Sequence, residues 1–550
     1  MATVYVNGSP VTIGDKERLN CVQAAERAGV LIPHYCWHAS LTVVASCRMC
    51  LVEFGEMKDG KPALQPKVVP GCQTPVKDGS VIVTDSPKAK AAQAQTLEAL
   101  LLNHPLDCPV CDKAGECKLQ DYSYEFGNAE SRMIDRKNTP PNKPHISSKI
   151  TLFTDRCIMC SRCVRFTREI TGTAELTIVN RGDHSEIDIF PGQPLENKLS
   201  GNVVDLCPVG ALCSKDFLYK QRVWFLKDYD SVCAGCATGC SIHLDANKDV
   251  VFRLRPRENP EAQGWFMCDE GRFGYHYVND NNRLKRPTVA GTAKPWTHVI
   301  AELKDKLAAA ATKNAAGVGV MLSPFLTCEE AYLFATYFKG LSKGVRLFLG
   351  PVPVVGTDDT YPKDRRGKPI EPVKFTIRAE KCPNRRGVEA VLKHFQGEVQ
   401  PFERVVEAAD KGQLQAVWLA ASYPQGGGYP VAGPWLSDGQ AKSLRKANLV
   451  IVQDLFATPL SAAADYLLPG TAWAEKEGTF VNHAGLAQAI AKASNAPGEC
   501  RTEGQVAADL LDRRGLLRAN LVRAEMAKVV PSFRELVEKM PKTGQRLALN

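Results

Sequence analysis

Groups of cysteine and histidine residues stand close enough together in this sequence to hold metal centres. Twenty cysteines occur in 550 residues, and only Cys328, Cys382 and Cys500 lie beyond Cys268. Most of the others form C-x2-C and C-x3-C steps, which place thiolates side by side on one metal centre. Disulfides are the alternative, but the chain does not begin like a secreted protein, and one of this length needs no cross-links. Metal ligation is therefore the favoured chemistry.

The first donor set has the spacing C-x10-C-x2-C-x21-C and follows a predicted hairpin and short helix. Such an arrangement is typical of a ferredoxin-type domain that holds [2Fe–2S], although the spacing departs from the plant-type C-x4-C-x2-C. Zinc on the same thiolates is the alternative, disfavoured because zinc ribbons usually show two C-x2-C steps. The predicted ligands are Cys36, Cys47, Cys50 and Cys72.

The second donor set combines one histidine with three cysteines in the pattern H-x3-C-x2-C-x5-C. A lone histidine is usually a polar surface residue, but here only three cysteines lie within reach of a four-ligand site, and Pro105 stiffens the step that follows the histidine. A neutral imidazole in place of a thiolate makes a [4Fe–4S] cluster less negative and should raise its potential. The predicted ligands are His104, Cys108, Cys111 and Cys117.

The third donor set is a C-x2-C-x2-C triplet completed by a distant Cys-Pro, the bacterial [4Fe–4S] pattern. Two-cluster ferredoxins have a fourth cysteine soon after the triplet, where this chain has Thr167, so the triplet must recruit the distant cysteine. Cys213, six residues further on, is interpreted as a buried small side chain. The predicted ligands are Cys157, Cys160, Cys163 and Cys207.

The fourth donor set has the spacing C-x2-C-x3-C-x27-C. The chain must fold back after the triplet to bring its last cysteine to the same centre, which we expect to be [4Fe–4S], with zinc as the alternative. The predicted ligands are Cys233, Cys236, Cys240 and Cys268.

The elements that must position these donors change character along the chain. Alternating residues on both sides of Asn7-Gly8 predict a hairpin, CVQAAERAGV a short helix, and KAKAAQAQTLEALLLNH a helix that stops at Pro105. Beyond about residue 285, VGVML, CEEAYLFATYFKGL, VRLFLG, QAVWLAA and NLVIVQDL predict a mostly parallel α/β domain. The fold class is therefore multidomain α+β and α/β, with predicted domains at 1–85, 86–140, 141–220, 221–284 and 285–550.

Composition limits the other functions open to the chain. The net charge is +9, without the Lys/Arg-rich block that a nucleic-acid footprint would need. No window approaches the ~18 consecutive apolar residues of a spanning helix, so we expect a soluble chain or one held at a membrane by other subunits. No nucleophile, acid–base or phosphate-loop constellation accompanies the four donor sets, which favours electron transport over transformation of a substrate. Gln425–Gly428 could cradle phosphate, although a plain mobile loop is the favoured interpretation.

The order of these sites resembles the large iron–sulfur subunit, the G subunit, of bacterial NADH–quinone oxidoreductase, which is respiratory complex I. The resemblance covers nearly the whole chain and is most specific in HPLDCPVCDKAGEC, in CIMCSRCVRFTRE with LCPVGAL, and in IVQDLFATPLSAAADYLLPGTAWAEKEGTFVNHAGLAQ. It implies one [2Fe–2S] and three [4Fe–4S] clusters. Electrons would arrive from a flavin- and NADH-binding subunit and pass through the first three sites toward further iron–sulfur subunits and a quinone, while other subunits translocate ions. The fourth site would serve structure more than electron flux.

The same resemblance implies a place for the chain and a character for its last domain. The chain would lie in the peripheral arm of a membrane complex, on the cytoplasmic side of the bacterial inner membrane, and would touch the membrane only through partner subunits. Its last domain looks like a molybdopterin oxidoreductase domain. We expect it to be truncated, without molybdopterin and without a metal ligand.

Three alternatives remain open at this point. A molybdenum- or tungsten-dependent formate dehydrogenase would need a cysteine or selenocysteine on the metal, and none of Cys328, Cys382 and Cys500 lies in a recognisable ligand pattern. The related enzymes also carry a lysine where this chain has Glu270. An iron-only hydrogenase would need further cysteine motifs. A zinc-binding interaction protein would be colourless and free of sulfide.

Overall fold

The computed structural model describes residues 1–549 and divides them into two compact units. The first unit comprises Met1–Phe225 together with Tyr361–Pro372, and the second comprises Leu226–Thr360 and the remainder from Val373. No helix in the described part of the chain combines the length and the apolar character needed to cross a bilayer.

The first unit begins with a six-stranded sheet wrapped around a short helix. The sheet has the order β2-β1-β6-β3-β4, with β5 on β3, and only β1 and β6 run parallel. Apolar residues of the strands and of the helix form one core beneath the sheet. The strands are β1 (Ala2–Val6), β2 (Ser9–Ile13), β3 (Leu51–Lys58), β4 (Lys61–Leu64), β5 (Val69–Pro70) and β6 (Ser80–Val83), and the helix is α1 (Cys21–Arg27).

The rest of the first unit consists of short helices and two-stranded pairings that hold long loops. The helices are α2 (Pro87–Leu101), α3 (Lys118–Phe126), α4 (Arg162–Glu169) and α5 (Asn202–Leu206). The strands are β7 (Ile150–Leu152), β8 (Thr177–Val179), β9 (Glu186–Asp188) and β10 (Leu212–Ser214); β7 pairs with β10 and β8 with β9.

The second unit begins with a three-stranded antiparallel sheet. The sheet consists of β11 (Lys227–Val232), β12 (Ser241–Asn247) and β13 (Val250–Pro256), and α6 (Asp269–Phe273) follows it. The eight-stranded sheet of this unit has the order β15-β14-β23-β22-β21-β16-β17-β20, and its strands from β23 to β20 run parallel. Its strands are β14 (Thr288–Val289), β15 (Thr292–Ala293), β16 (Val318–Leu322), β17 (Arg346–Leu349), β20 (Gln400–Pro401), β21 (Ala416–Ala420), β22 (Leu449–Asp454) and β23 (Tyr466–Pro469).

Helices pack on this parallel sheet and bury a large core that includes Trp418, Phe334 and Phe338. The helices are α7 (Trp296–Lys313), α8 (Cys328–Leu341), α9 (Arg385–Gln396), α10 (Phe402–Asp410), α11 (Asp438–Leu444), α12 (Glu503–Leu510) and α13 (Ala519–Val529). The remaining strands are β18 (Asp359–Tyr361), β19 (Phe375–Ile377), β24 (Gly478–Val481), β25 (Leu486–Ile490) and β26 (Gln545–Arg546).

The predicted elements agree with these bounds, with one shortened helix. The hairpin turns at Asn7 and Gly8, which both have the positive φ angles that its tight turn requires. The predicted parallel α/β domain is confirmed. The helix expected to reach Pro105 ends at Leu101, where Lys137 Nζ donates hydrogen bonds of 2.8 Å to the carbonyls of Leu101 and Leu102. A cation that satisfies the last carbonyls ends the helix early and leaves His104 on a loop.

Candidate metal centres

The first donor set gathers on two loops beside the N-terminal sheet. Cys36 follows α1, whereas Cys47 and Cys50 precede β3 and Cys72 follows β5. Hydrogen bonding from Cys47 and Cys72 lowers the pKa of the Cys36 thiol, so the sulfurs face one another. The backbone amide of Cys36 also donates to Cys47 Sγ over 3.4 Å. These four donors therefore converge.

The second donor set lies around the loop between α2 and α3. His104, Cys108 and Cys117 line one cavity. The His104 Nδ1 atom is buried without a hydrogen-bond partner among the described residues, and burial lowers the pKa of the imidazole to about 4. A neutral imidazole with a bare nitrogen suits metal ligation. Cys111 neighbours the other two thiols electrostatically but is not among the residues that line the cavity.

The Cys111 sulfur lies against the segment that follows Cys207. A Cβ atom at Gly210 would stand 2.2 Å from Cys111 Sγ, so only glycine fits there. Cys213 Sγ donates to the Gly210 carbonyl over 3.5 Å, and burial raises the pKa of this thiol to about 12. The structure thus places Cys213 as a buried neutral thiol, as the sequence indicated.

The third donor set curls around the start of α4. Met159 and Ser161, which separate the three cysteines of the triplet, have φ angles of 49° and 59°, and this left-handed backbone folds the loop tightly. Burial is the main cause that raises the pKa of Cys157 to about 12 and that of Cys160 to about 11, and nearby thiols, including Cys207, add to both shifts. The Met159 amide donates to Cys157 Sγ over 3.4 Å.

The fourth donor set closes between the three-stranded sheet and α6. Cys233, Cys236, Cys240 and Cys268 line one small cavity. A Cβ atom at Gly271 would lie 2.8 Å from Cys233 Sγ and 3.6 Å from Cys268 Sγ, so a glycine is needed where these sulfurs meet. The Gly271 amide donates to Cys268 Sγ over 3.3 Å, and the Gly235 amide donates to Cys233 Sγ over 3.4 Å.

These four environments fit iron–sulfur chemistry. Burial raises the pKa of most of the thiols, so a buried thiolate at neutral pH needs a bound cation to compensate its charge. Backbone amides that point at ligand sulfurs are the hydrogen bonds that tune such clusters. All twenty cysteines are free of disulfides.

Sequence reasoning did not identify Lys381, which the structure places beside the fourth donor set. Its Nζ atom lies 2.6 Å from Glu270 Oε2, two residues beyond Cys268, and its side chain is buried. A lysine expected at position 270 in related enzymes is thus replaced by a glutamate paired with a lysine from a distant segment. Only a long-range contact reveals this pair.

The loop Gln425–Gly428 packs against the chain that follows α6. The Gly427 carbonyl accepts a hydrogen bond of 3.2 Å from the His276 amide, and a Cβ atom at Gly427 would stand 2.2 Å from the Tyr277 nitrogen. Its glycines therefore permit a close approach of two backbones, which explains them without a phosphate.

Comparison with protein families confirms the predicted series of domains. The fold and the donor sets define a protein with [2Fe–2S] and [4Fe–4S] domains followed by a molybdopterin-oxidoreductase domain. The matching family models are 2Fe-2S iron-sulfur cluster binding domain (1–87), NADH-ubiquinone oxidoreductase-G iron-sulfur binding region (93–132), NADH-quinone oxidoreductase subunit 3, ferredoxin-like domain (147–213), Molybdopterin oxidoreductase Fe4S4 domain (226–280) and Molybdopterin oxidoreductase (394–513).

The chain is a homologue of the G subunit of NADH-quinone oxidoreductase. The protein of that name from Rickettsia bellii is 29% identical over 97% of this chain and 90% of its own length. The one from Rickettsia conorii is 36% identical over 62% of this chain and 49% of its own length. A mitochondrial NADH dehydrogenase [ubiquinone] iron-sulfur protein 1 from Solanum tuberosum is 38% identical over 58% of this chain and 42% of its own length. The chain thus spans about half the length of several relatives.

Proposed function

We propose that this chain is an electron-transfer subunit of an NADH–quinone oxidoreductase, complex I. It would carry electrons from a flavin- and NADH-binding subunit toward quinone, while other subunits translocate ions. The observation that supports this most directly is the gathering of four separate donor sets, mostly buried, in one chain. Each set lies within a domain whose family model describes an iron–sulfur region.

We assign one [2Fe–2S] cluster to the first donor set and one [4Fe–4S] cluster to each of the others. When bound, such clusters accept and release single electrons. The chain's own part is to bury the ligands and to direct amides at their sulfurs, which sets the potentials. The proposed ligands are Cys36, Cys47, Cys50 and Cys72, then His104, Cys108, Cys111 and Cys117, then Cys157, Cys160, Cys163 and Cys207, and finally Cys233, Cys236, Cys240 and Cys268.

Contacts within the first unit support an order of transfer that differs from the order along the chain. Arg165, on the helix that carries Cys163, donates a hydrogen bond to the Cys36 carbonyl, which links the first and third sets. Gly210, three residues after Cys207, touches Cys111 and links the third set to the second. Electrons would therefore pass from the first to the third and then to the second site. The five domain boundaries predicted above belong to the same proposal.

We assign the fourth cluster to structure more than to flux. Its donors close the junction between the three-stranded sheet and α6, and the Lys381–Glu270 pair is buried beside them. A centre held by elements so distant in sequence stabilises their arrangement whether or not it carries electrons.

The molybdopterin-type domain, we infer, holds no pterin. Ligands of open α/β sheets bind at the carboxyl ends of the parallel strands. At that edge Tyr423 stacks on Trp435 with ring centroids 4.8 Å apart, and Phe325 packs edge-on to Tyr423 at 5.1 Å. A Cβ atom at Gly350 would stand 2.5 Å from the Tyr423 hydroxyl. Protein side chains thus fill the crevice, and this disfavours a molybdenum-dependent formate dehydrogenase.

The partners follow from the same proposal. They are the flavin- and NADH-binding subunit and further iron–sulfur subunits, and the chain would lie in the peripheral arm, on the cytoplasmic side of a bacterial inner membrane. Membrane contact would be made by partner subunits.

The function is tested by changing Cys160→Ala in the assembled complex and measuring NADH-to-quinone electron transfer. Loss of one third-set thiolate should break the proposed route, so activity should fall to background. Full activity in this variant would remove the third site from the path.

Cys213→Ala is the matched control for this substitution. Cys213 is buried near the same donor set, but its thiol bonds to the Gly210 carbonyl and is not a proposed ligand. Electron transfer should stay close to that of the unmodified complex. A loss equal to that of Cys160→Ala would instead indicate general damage to the site or a different ligand set.

A further inference from the structure

Arg162 is a buried cation between the first and the third donor sets. Its side chain lies at the start of α4 and the residue is 4% exposed. One arm, Nη2, donates to the Trp37 carbonyl, next to Cys36. The other arm, Nη1, donates to the Leu206 carbonyl over 3.3 Å, next to Cys207. A single guanidinium therefore touches the backbone beside one proposed ligand of each set.

This guanidinium lacks the partner that a buried charge normally has. Within residues 1–549 it has no carboxylate in contact, and its Nε atom is buried without a hydrogen-bond acceptor. A buried cation is strongly unfavourable unless a negative charge compensates it. The charged neighbours that act favourably on Arg162 are Cys160, Cys207 and Cys36, all of them proposed ligands. Thiolate-bound clusters would supply the missing negative charge to this cation from two sides.

A cation in such a position favours reduction of the clusters that it faces. A cluster held by four thiolates is anionic and gains a further negative charge when it accepts an electron. In a poorly screened interior the attraction of a nearby positive charge grows with that added charge and raises the reduction potential. Because one guanidinium faces both sets, its effect acts on both together.

We propose that Arg162 is a positioning residue shared by two clusters, and that it raises the midpoint potentials of the first and the third site in parallel. The proposal rests on the proposed function, because it needs clusters at both sites. A shared cation keeps the two potentials close, so that an electron crosses from the first site to the third without a large uphill step.

Arg165 offers a matched comparison on the same helix. It lies one turn after Arg162, is also buried, and donates to the carbonyls of Cys36 and Thr42. Its Nε atom donates to Ser161 Oγ over 3.4 Å. Its carbonyl contacts lie on the first-set loop alone, so its influence should fall mainly on the first site.

The test is a potentiometric EPR titration of the full-length, anaerobically purified protein and of Arg162→Gln. At a fixed ambient potential the reduced-to-oxidised ratio of both the first and the third cluster should fall at least tenfold, which is about 59 mV for a one-electron couple. The second and fourth clusters should keep their midpoints. In Arg165→Gln the first cluster alone should shift. Unchanged midpoints in Arg162→Gln, or a shift at one site only, would overturn the proposal.

Two further measurements keep this test decisive. Iron and sulfide counts on the unmodified protein come first, because their failure refutes the proposed function, whereas intact clusters with unmoved midpoints refute only the role of Arg162. If Arg162→Gln does not retain the third cluster, Arg162→Lys replaces it. The lysine ammonium keeps the charge but can reach one of the two carbonyls, so at least one midpoint should fall, and two unshifted midpoints would overturn the proposal.

Discussion

The imidazole of His104 is chemically distinct among the sixteen proposed ligands, because it is the single neutral donor in that set of residues. Its Nδ1 atom is buried without a partner in the described chain, and burial holds its pKa near 4, so it stays unprotonated at neutral pH. A centre with three thiolates and one imidazole carries less negative charge than one with four thiolates. The second site should therefore have a higher potential than its four-cysteine counterpart would.

His104→Cys should retain a cluster at the second site but lower its midpoint potential, because a thiolate adds negative charge to the centre. Redox titration followed by EPR measures this shift. His298→Cys is the control, since His298 is exposed on α7 and should leave every midpoint in place. An unchanged midpoint in His104→Cys would argue against the imidazole as a ligand.

Buried lysine and arginine side chains are the residue-scale feature that sequence patterns did not reveal. Motif spacing identified the donors because ligands of one centre recur at short, fixed intervals. Arg162 lies inside one of those motifs, yet only its contacts with the Trp37 and Leu206 carbonyls indicate a role. Lys381 is more than a hundred residues from Glu270, and no local pattern can pair them.

At the scale of elements, α6 is a short helix whose first turn forms part of a donor site. Cys268 precedes it and Gly271 lies within it, so the helix brings a ligand and a side-chain-free surface to the fourth set together. A glycine in a helix interior costs about 1 kcal/mol relative to alanine. That cost is offset here because any side chain would meet Cys233 Sγ.

Gly271→Ala should destabilise the fourth cluster, because the new Cβ atom would stand 2.8 Å from Cys233 Sγ. Iron analysis should show a loss of about four irons per chain, with the other EPR signals retained. Gly340→Ala is the matched control. This glycine lies in α8 with nothing within 4 Å of the added Cβ, so the full iron content should remain and the helix should become slightly more stable. Full iron content in Gly271→Ala would contradict the assigned geometry.

The elements differ in how far the sequence determines them. Long apolar runs such as VGVML and CEEAYLFATYFKGL become β16 and α8 with the predicted bounds, because buried parallel strands and their helices carry strong patterns. The end of α2 was harder to predict, since Lys137 caps it from a distant loop. The assignment of Tyr361–Pro372 to the first unit could not be predicted either, because it depends on long-range contacts and not on local composition.

At the scale of the whole molecule, donor sites and scaffold are distributed between two units. The first unit holds three donor sets connected by Arg162, Arg165 and Gly210, and this arrangement suits a relay. The second holds one donor set and a large α/β core whose strand ends are covered by aromatic side chains. Conduction in the first unit is therefore separate from structural support in the second.

The most direct test is a joint measurement of iron, acid-labile sulfide, zinc and molybdenum on the full-length protein purified without oxygen, with EPR after reduction. We predict iron and sulfide in amounts that match one [2Fe–2S] and three [4Fe–4S] clusters, signals of both types, and neither zinc nor molybdenum in stoichiometric amount. A colourless protein that contains zinc, lacks sulfide and gives no signal on reduction would contradict the central claim.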